Sequence, residues 1–162
     1  MQSIAKAILK AILVTVCILL FVNLIFFFPW YMTLVVETFN LSQTAANDNY
    51  VKQEYYNNTL NRLKEHAIFN EKSEDIEIIV LNSDGNTAIG NNDETMYENF
   101  SQYDKPYRQR GEPVTIEINA VYPLSITLWG KKYEREIPVS FQLEAIGLKH
   151  YKDLEFNEWN DG

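Results

Sequence analysis

The sequence contains few residues of the kinds that carry catalysis or bind metals. Its 162 residues include one cysteine, Cys17, and two histidines, His66 and His150. A single cysteine excludes an internal disulfide, and neither histidine has a partner at the ligand spacing of a zinc site. Glycine-rich phosphate loops and serine or cysteine nucleophile motifs are also absent. We therefore expect no catalytic residue, no cofactor and no metal ligand, and we do not expect an enzyme.

One polar segment suggests calcium. Residues 82–94 are rich in asparagine and aspartate. They lack the alternating ligand order of an EF-hand, because Gly85 directly follows Asp84. We interpret the segment as a hairpin turn followed by a loop.

Acidic residues are missing from the N-terminal part of the chain. All 22 acidic residues follow Val36, and Lys6 and Lys10 are the only charged residues before it. The run from Ala11 to Val36 therefore has no charged side chain. Because a bilayer core needs about 20 apolar residues in helical form, the run predicts a transmembrane helix over 11–36. Residues 1–10 then form a short N-terminal segment.

Charge also predicts the orientation of this helix and its partners. Lys6 and Lys10 favour a cytoplasmic N-terminus and a C-terminal domain outside the cell membrane, by the positive-inside rule. The run is too long for a cleaved signal peptide, and no Ala-x-Ala site follows it. The part after Val36 has 12 basic and 22 acidic residues, a net charge of −10. This domain would repel nucleic acid, so nucleic acid is not an expected partner. Membrane lipid is the partner that the uncharged run predicts.

The uncharged run contains a polar amide, an aromatic cluster and a proline. An asparagine in lipid can hydrogen-bond to a neighbouring helix, or it can be a tolerated single amide. Tryptophan and tyrosine favour the headgroup level. Proline can end the span or lie in a continuing helix, and we favour continuation because residues 34–39 would otherwise form an exposed apolar loop. The predicted packing or assembly residues are Asn23, Phe26, Phe27, Phe28 and Pro29, and the predicted interfacial belt is Trp30 and Tyr31.

An amphipathic pattern follows the uncharged run. Apolar residues recur at spacings near three and four, which is typical of a helix with one apolar face. This pattern predicts that a helix over 37–70 continues the anchor, with a capping residue at Asn47 or Asp48 if the chain breaks there. The apolar residues are Val51, Tyr55, Leu60, Leu63 and Ala67.

The rest of the chain alternates apolar and polar residues with a period of two. Such alternation predicts strands at 76–80, at 114–128 with an interruption at Pro123, and at 137–145. A turn is predicted at Gly130, and short connections favour antiparallel pairing. We therefore predict an α+β fold, in which a long N-terminal helix packs on a small antiparallel sheet. The sheet domain covers 71–162 and includes a polar loop over 90–113.

This layout resembles the pilin architecture of type IV filaments, and most closely the TadE-like pseudopilins of Gram-positive Tad or conjugation loci. Residues 114–124, which end in Tyr122-Pro123-Leu124, and residues 137–147, which end in Gly147, carry the resemblance. The resemblance implies a structural subunit anchored by its N-terminal helix. Residues 1–10 depart from the pattern, because they contain neither the glycine nor the glutamate that such pilins carry before the apolar run.

Two functional hypotheses follow. The first is a membrane-anchored, pilin-like structural subunit or minor pseudopilin, whose partners are copies of itself, related subunits and envelope assembly machinery. Its location would be the cell membrane and a cell-surface filament. The alternative is a single-pass adaptor or binding protein that serves a secretion or conjugation machine without polymerising.

Overall fold

The computed structural model describes residues 2–154 and has the predicted α+β fold, a long N-terminal helix on a small antiparallel sheet. Residue 1 and residues 155–162, at the ends of the predicted first and last segments, lie outside the described residues. The elements are α1 Gln2–Asp48, β1 Val51–Lys52, α2 Gln53–Glu65, β2 Glu77–Asn82, β3 Ile89–Gly90, β4 Pro113–Leu128 and β5 Lys131–Ile146. Short 3-10 helices cover Ala67–Asp75 and Glu94–Tyr97.

Helix α1 has 47 residues and continues through Pro29, as predicted. It ends where Asn49 adopts a left-handed conformation with a φ of 58°. Asparagine tolerates this conformation better than most residues and often follows a helix C-terminus. The prediction that one helix continues over 37–70 is therefore corrected: the chain turns at Asn49, and a separate helix begins at Gln53.

Helix α2 lies beside the second half of α1. Arg62 near its C-terminal end contacts Glu37 of α1 at 2.7 Å, and Thr59 and Leu63 are buried. Lys52 occupies the N-cap position and makes no side-chain capping bond. Of the predicted apolar face, Leu63 is buried and Leu60 packs against the core, whereas Tyr55 and Ala67 are exposed and that part of the prediction is wrong.

The main sheet has the strand order β2-β4-β5 and is antiparallel throughout. Strand β4 continues through Pro123, which lies opposite Glu136, and the predicted interruption there is wrong. Strand β2 pairs with β4 only as far as Asn119. Pro123 thus occupies a part of β4 that forms a sheet edge, where a missing N–H is tolerated.

The core lies between α1 and one face of this sheet. Residues at even positions of β4, from Val114 to Tyr122, are buried, whereas their neighbours are only half-buried. This period-two pattern is the one that the sequence predicts for a half-buried strand. The α1 residues that close the core are Trp30, Leu34, Leu41 and Ala45.

Candidate membrane and assembly interface

Residues 3–22, the first half of α1, present apolar side chains in all directions. Within them, only Val16 and Leu19 are not fully exposed. Leu9 and Phe21 are 68% and 63% exposed. A contiguous apolar surface of this size marks a membrane or protein contact. Helix α1 is long and apolar enough to cross a membrane once.

The second half of α1 contributes one face to the core. Buried residues recur at spacings of three and four, which places them on one side of the helix. Leu34 and Thr38 are fully buried, and the Thr38 hydroxyl donates to the Leu34 carbonyl oxygen at 2.8 Å. Residues on the other side of this half remain exposed, among them Met32 and Val36. The uncharged run therefore has two environments.

The predicted interfacial belt falls partly inside the core. Trp30 is only 2% exposed, and its ring lies 5.2 Å from the rings of Phe69 and Tyr122. A side chain enclosed by the protein cannot face lipid headgroups, so Trp30 is corrected to a core residue. Tyr31 is half-buried and contacts Phe141 edge-on at 6.0 Å. Sequence reasoning missed this because Phe69 and Tyr122 are distant in the chain.

Asn23 is a point of contact between α1 and the sheet. Its side-chain nitrogen donates to the Leu19 carbonyl oxygen at 2.9 Å, inside the helix. The hydroxyl of Tyr122 donates to the Asn23 carbonyl oxygen at 3.2 Å. Burial raises the pKa of Tyr122, so this hydroxyl keeps its proton at neutral pH.

The other predicted packing residues divide between the two environments. Phe27 packs against the core, with its ring 5.0 Å from Tyr122 in an edge-to-face arrangement. Phe26 and Phe28 are each 66% exposed, and Pro29 is exposed beside them. These three residues extend the apolar surface of the first half, and their role in assembly stays a prediction.

The far end of the domain holds a cluster that the sequence did not reveal. Asn49 is 1% exposed, and its side-chain nitrogen donates to the carbonyl oxygens of Arg108 and Lys149 at 2.9 and 2.6 Å. Its side-chain oxygen accepts from the Lys149 N–H at 2.9 Å. A Cβ on Gly147 would lie 2.6 Å from the Asn49 side chain. Asn49 therefore connects the end of α1 to the polar loop and the C-terminal segment.

A buried ion pair lies in the same cluster. The Lys105 side chain is 2% exposed, and its Nζ lies 2.6 Å from Oδ2 of Asp153. The Tyr107 hydroxyl donates to the same oxygen at 2.9 Å. Burial alone would raise the pKa of Asp153, but the hydrogen bonds from Lys105 and Tyr107 lower it below its ordinary value. The cluster holds the C-terminal segment and supplies no nucleophile.

The cavity beside Arg108 suggests no ligand chemistry either. The guanidinium of Arg108 borders a shallow cavity of about 320 Å³. Its donors are used by Asp84 and by the main-chain oxygens of Gln102, Tyr103, Lys105 and Tyr107. Across residues 2–154, no three His, Cys, Asp or Glu side chains are grouped to hold a metal ion.

The exposed apolar part of α1 is therefore the most distinctive surface of this molecule. It can enter lipid or pack against other helices. Comparisons with known proteins found no matching family model, curated sequence or solved structure.

Proposed function

We propose that this protein is a membrane-anchored, pilin-like structural subunit or minor pseudopilin of a type IV or Tad-like filament or conjugation apparatus. The observation that carries the proposal is one continuous helix with two environments. Its first half is apolar and exposed, and its second half forms the core of the sheet domain. Such a helix holds the domain at a membrane before assembly, and it offers a packing surface to other subunits.

The length of the apolar surface supports a protein partner in addition to lipid. Exposed apolar side chains extend from Ile4 to Phe39 along α1. At 1.5 Å per residue, this distance is about 50 Å, whereas a bilayer core is about 30 Å thick. Roughly 20 Å of apolar helix surface therefore remains outside the hydrocarbon, and copies of the same helix are suitable to cover it.

The proposed location is the cell membrane, with the N-terminus inside and the sheet domain outside. Lys6 and Lys10 support this orientation through the positive-inside rule. The partners are membrane lipid, copies or relatives of the chain and envelope assembly machinery.

The second candidate is a single-pass adaptor of an envelope machine. The observation that favours it is the lack of glycine and glutamate in residues 1–10. In the pilins that the sequence resembles, these residues precede the apolar run. An adaptor would use the same exposed helix surface to contact a different protein.

Photo-crosslinking distinguishes the two candidates. A photoreactive phenylalanine analogue at Phe28, which is 66% exposed on α1, would be activated in intact cells. The control carries the same analogue at Tyr103, which is 70% exposed on the polar loop. We expect a ladder of homotypic products from position 28 alone. Products with a single different protein would favour the adaptor, and no product above the control would contradict both.

Shearing of cells provides an independent test of polymerisation. Surface filaments released by shear would be collected by ultracentrifugation and compared with the membrane fraction by immunoblotting. We expect the protein in both fractions. Complete retention in membranes would exclude a filament subunit that reaches the cell surface.

A further inference from the structure

The outer part of the β4–β5 hairpin, residues 123–137, lies alongside the first half of α1; we call it the hairpin end. At the opposite end of the hairpin, the Leu148 N–H donates to the Ala46 carbonyl oxygen near the C-terminal end of α1. Further along β4, the Tyr122 hydroxyl donates to the Asn23 carbonyl oxygen. Strand β4 is therefore antiparallel to α1, and beyond Tyr122 it continues toward the N-terminus of the helix.

The tip of the hairpin reaches far along α1. At about 3.3 Å per strand residue, the stretch from Tyr122 to the end of β4 at Leu128 adds about 20 Å. A helix rises about 1.5 Å per residue, so this length corresponds to about 13 residues of α1. Trp129 at the tip, which is 83% exposed, thus lies near the level of Lys10. Only about ten residues of α1 extend beyond the tip.

Half-buried side chains on both elements support this placement. Val16 and Leu19 are half-buried, and their spacing places them on the same side of α1 as Asn23. On the strand, three half-buried aliphatic side chains share the face of Tyr122. These are Leu124, Ile126 and Leu128. The hairpin end therefore covers one side of the apolar helix.

The hairpin end is held less firmly than the rest of the sheet. Strand β2 pairs with β4 only as far as Asn119, and the buried positions of β4 end at Tyr122. Residues 131–138 of β5 are all exposed. Pro123 and Pro138 lie at the boundary between the packed and the exposed part of the hairpin. A segment with few buried apolar contacts opens at a lower free energy than the core.

The hairpin end cannot enter hydrocarbon. Residues 131–136 include five charged side chains, and charges are costly inside a bilayer. Beyond Asn119, β4 and β5 have no further strand partner within residues 2–154. Their outer main-chain groups are therefore unpaired, and open sheet edges do not occur in lipid. The charged residues are Lys131, Lys132, Glu134, Arg135 and Glu136.

The position of the hairpin end is thus incompatible with a membrane span. A bilayer core needs about 20 helical residues, which is about twice the length of α1 beyond the tip. If the hairpin end separated from α1, the free helix would be residues 3–22, about 30 Å long. The core would stay in place, because Tyr122 packs on Phe27 and Trp30. Lys6 and Lys10 would extend to the headgroups by snorkelling.

We propose that the hairpin end separates from α1 when the helix enters a bilayer, and that it lies along α1 only when the helix is outside the bilayer. In lipid, the cost of burying charges and open strand edges exceeds the gain from three half-buried aliphatic side chains. Outside lipid, the same side chains cover part of the exposed helix. The proposal rests on the membrane anchor of the proposed function, but it does not require polymerisation.

A distance between two spin labels tests the proposal. The full chain with Trp129→Cys would carry one label at the hairpin tip and one at the native Cys17, which is exposed on α1. It would be measured in lipid nanodiscs with one copy each, and in an amphipathic polymer that forms no bilayer. We expect the distance to be at least about 10 Å longer in nanodiscs, because the tip moves by up to the length of six strand residues. Equal distances would overturn the proposal.

The matched control shows whether the hairpin end moves alone. It carries labels at Cys17 and at Ser83→Cys, an exposed position in the turn after β2. This distance should be the same in nanodiscs and polymer, and an equal change in both label pairs would overturn separation of the hairpin end.

The label on Cys17 also reports insertion, through its accessibility to oxygen. A label in hydrocarbon with an unchanged distance from 17 to 129 would overturn this proposal and leave the anchor intact. A label in water would contradict the anchor itself and, with it, the proposal.

Discussion

The two halves of α1 share one continuous helix and the uncharged run, but their surroundings differ. Residues 3–22 are exposed almost all round, whereas the second half buries Trp30 and Leu34 completely or nearly so. Helix formation is a local property, and both halves share it. The surroundings depend on which other segments reach the helix, and the buried residues of α1 all lie at or after Trp30. The comparison shows that an uncharged run is not always a membrane span over its whole length.

The largest expected effect distinguishes a core aromatic from an exposed one. Trp30→Ala removes a ring that packs against Phe27, Phe69 and Tyr122. Loss of a buried aromatic side chain costs about 3–5 kcal/mol of unfolding free energy. The matched variant Phe28→Ala, in the same helix, should cost less than about 1 kcal/mol. Chemical denaturation in detergent micelles gives both values, and equal costs would contradict the division of α1.

The next largest effect on stability concerns Asn49, which follows the C-terminal end of α1. Asn49→Ala removes three hydrogen bonds of a buried side chain and places alanine at positive φ. We expect a loss of about 2–3 kcal/mol, from unsatisfied main-chain groups and backbone strain.

The control Asn49→Gly separates these two causes. Glycine tolerates the positive φ but loses the same hydrogen bonds. It should therefore lose less stability than alanine in the same denaturation experiment. If glycine and alanine cost the same, backbone strain makes no contribution at this position.

A smaller effect depends on pH. The lowered pKa of Asp153 means that its ion pair with Lys105 stabilises the fold above the ordinary carboxyl pKa of 3.8. This contribution is lost as pH falls through the lower pKa of the folded state. Asp153→Asn should cost about 1–2 kcal/mol near neutral pH, a buried-pair effect reduced by partial solvent exposure. The difference from the unmodified chain should disappear at the lowest pH, as measured by denaturation across pH.

The smallest effect on stability is expected from removing residues 1–22, which include the exposed first half of α1. A chain that lacks residues 1–22 keeps every buried residue of the core. Its thermal midpoint should differ by only a few degrees from that of the full chain in detergent, as measured by circular dichroism. A molten domain would show that the first half also supports the fold.

Much of the fold was predictable because its signals are local. The uncharged run, the period-two pattern from Val114 to Tyr122 and the pattern around Phe141 each specify an element without reference to the rest of the chain. The end of α1 was less predictable, since an amphipathic pattern continues past Asn49. A single left-handed residue changes the direction of the chain but not the periodicity of its side chains.

The candidate interface was only partly predictable for a different reason. Phe26 and Phe28 are exposed on α1, where a helix contact would need them. Trp30 is of a residue type that favours the membrane interface, but Tyr122 and Phe69 enclose it. Residues that enclose a side chain are distant in sequence, and a single sequence does not indicate which segments will meet.

By itself, the sequence determined that this protein has a long apolar N-terminal helix, an antiparallel sheet and an acidic domain. These properties follow from residue type and spacing, which act over a few residues. Only the tertiary structure decided how much of the helix the domain covers, which aromatic ring is exposed at the hairpin tip and where the chain turns after Asp48. Those outcomes depend on contacts between distant segments, because burial is decided by what packs around a residue rather than by the residue alone.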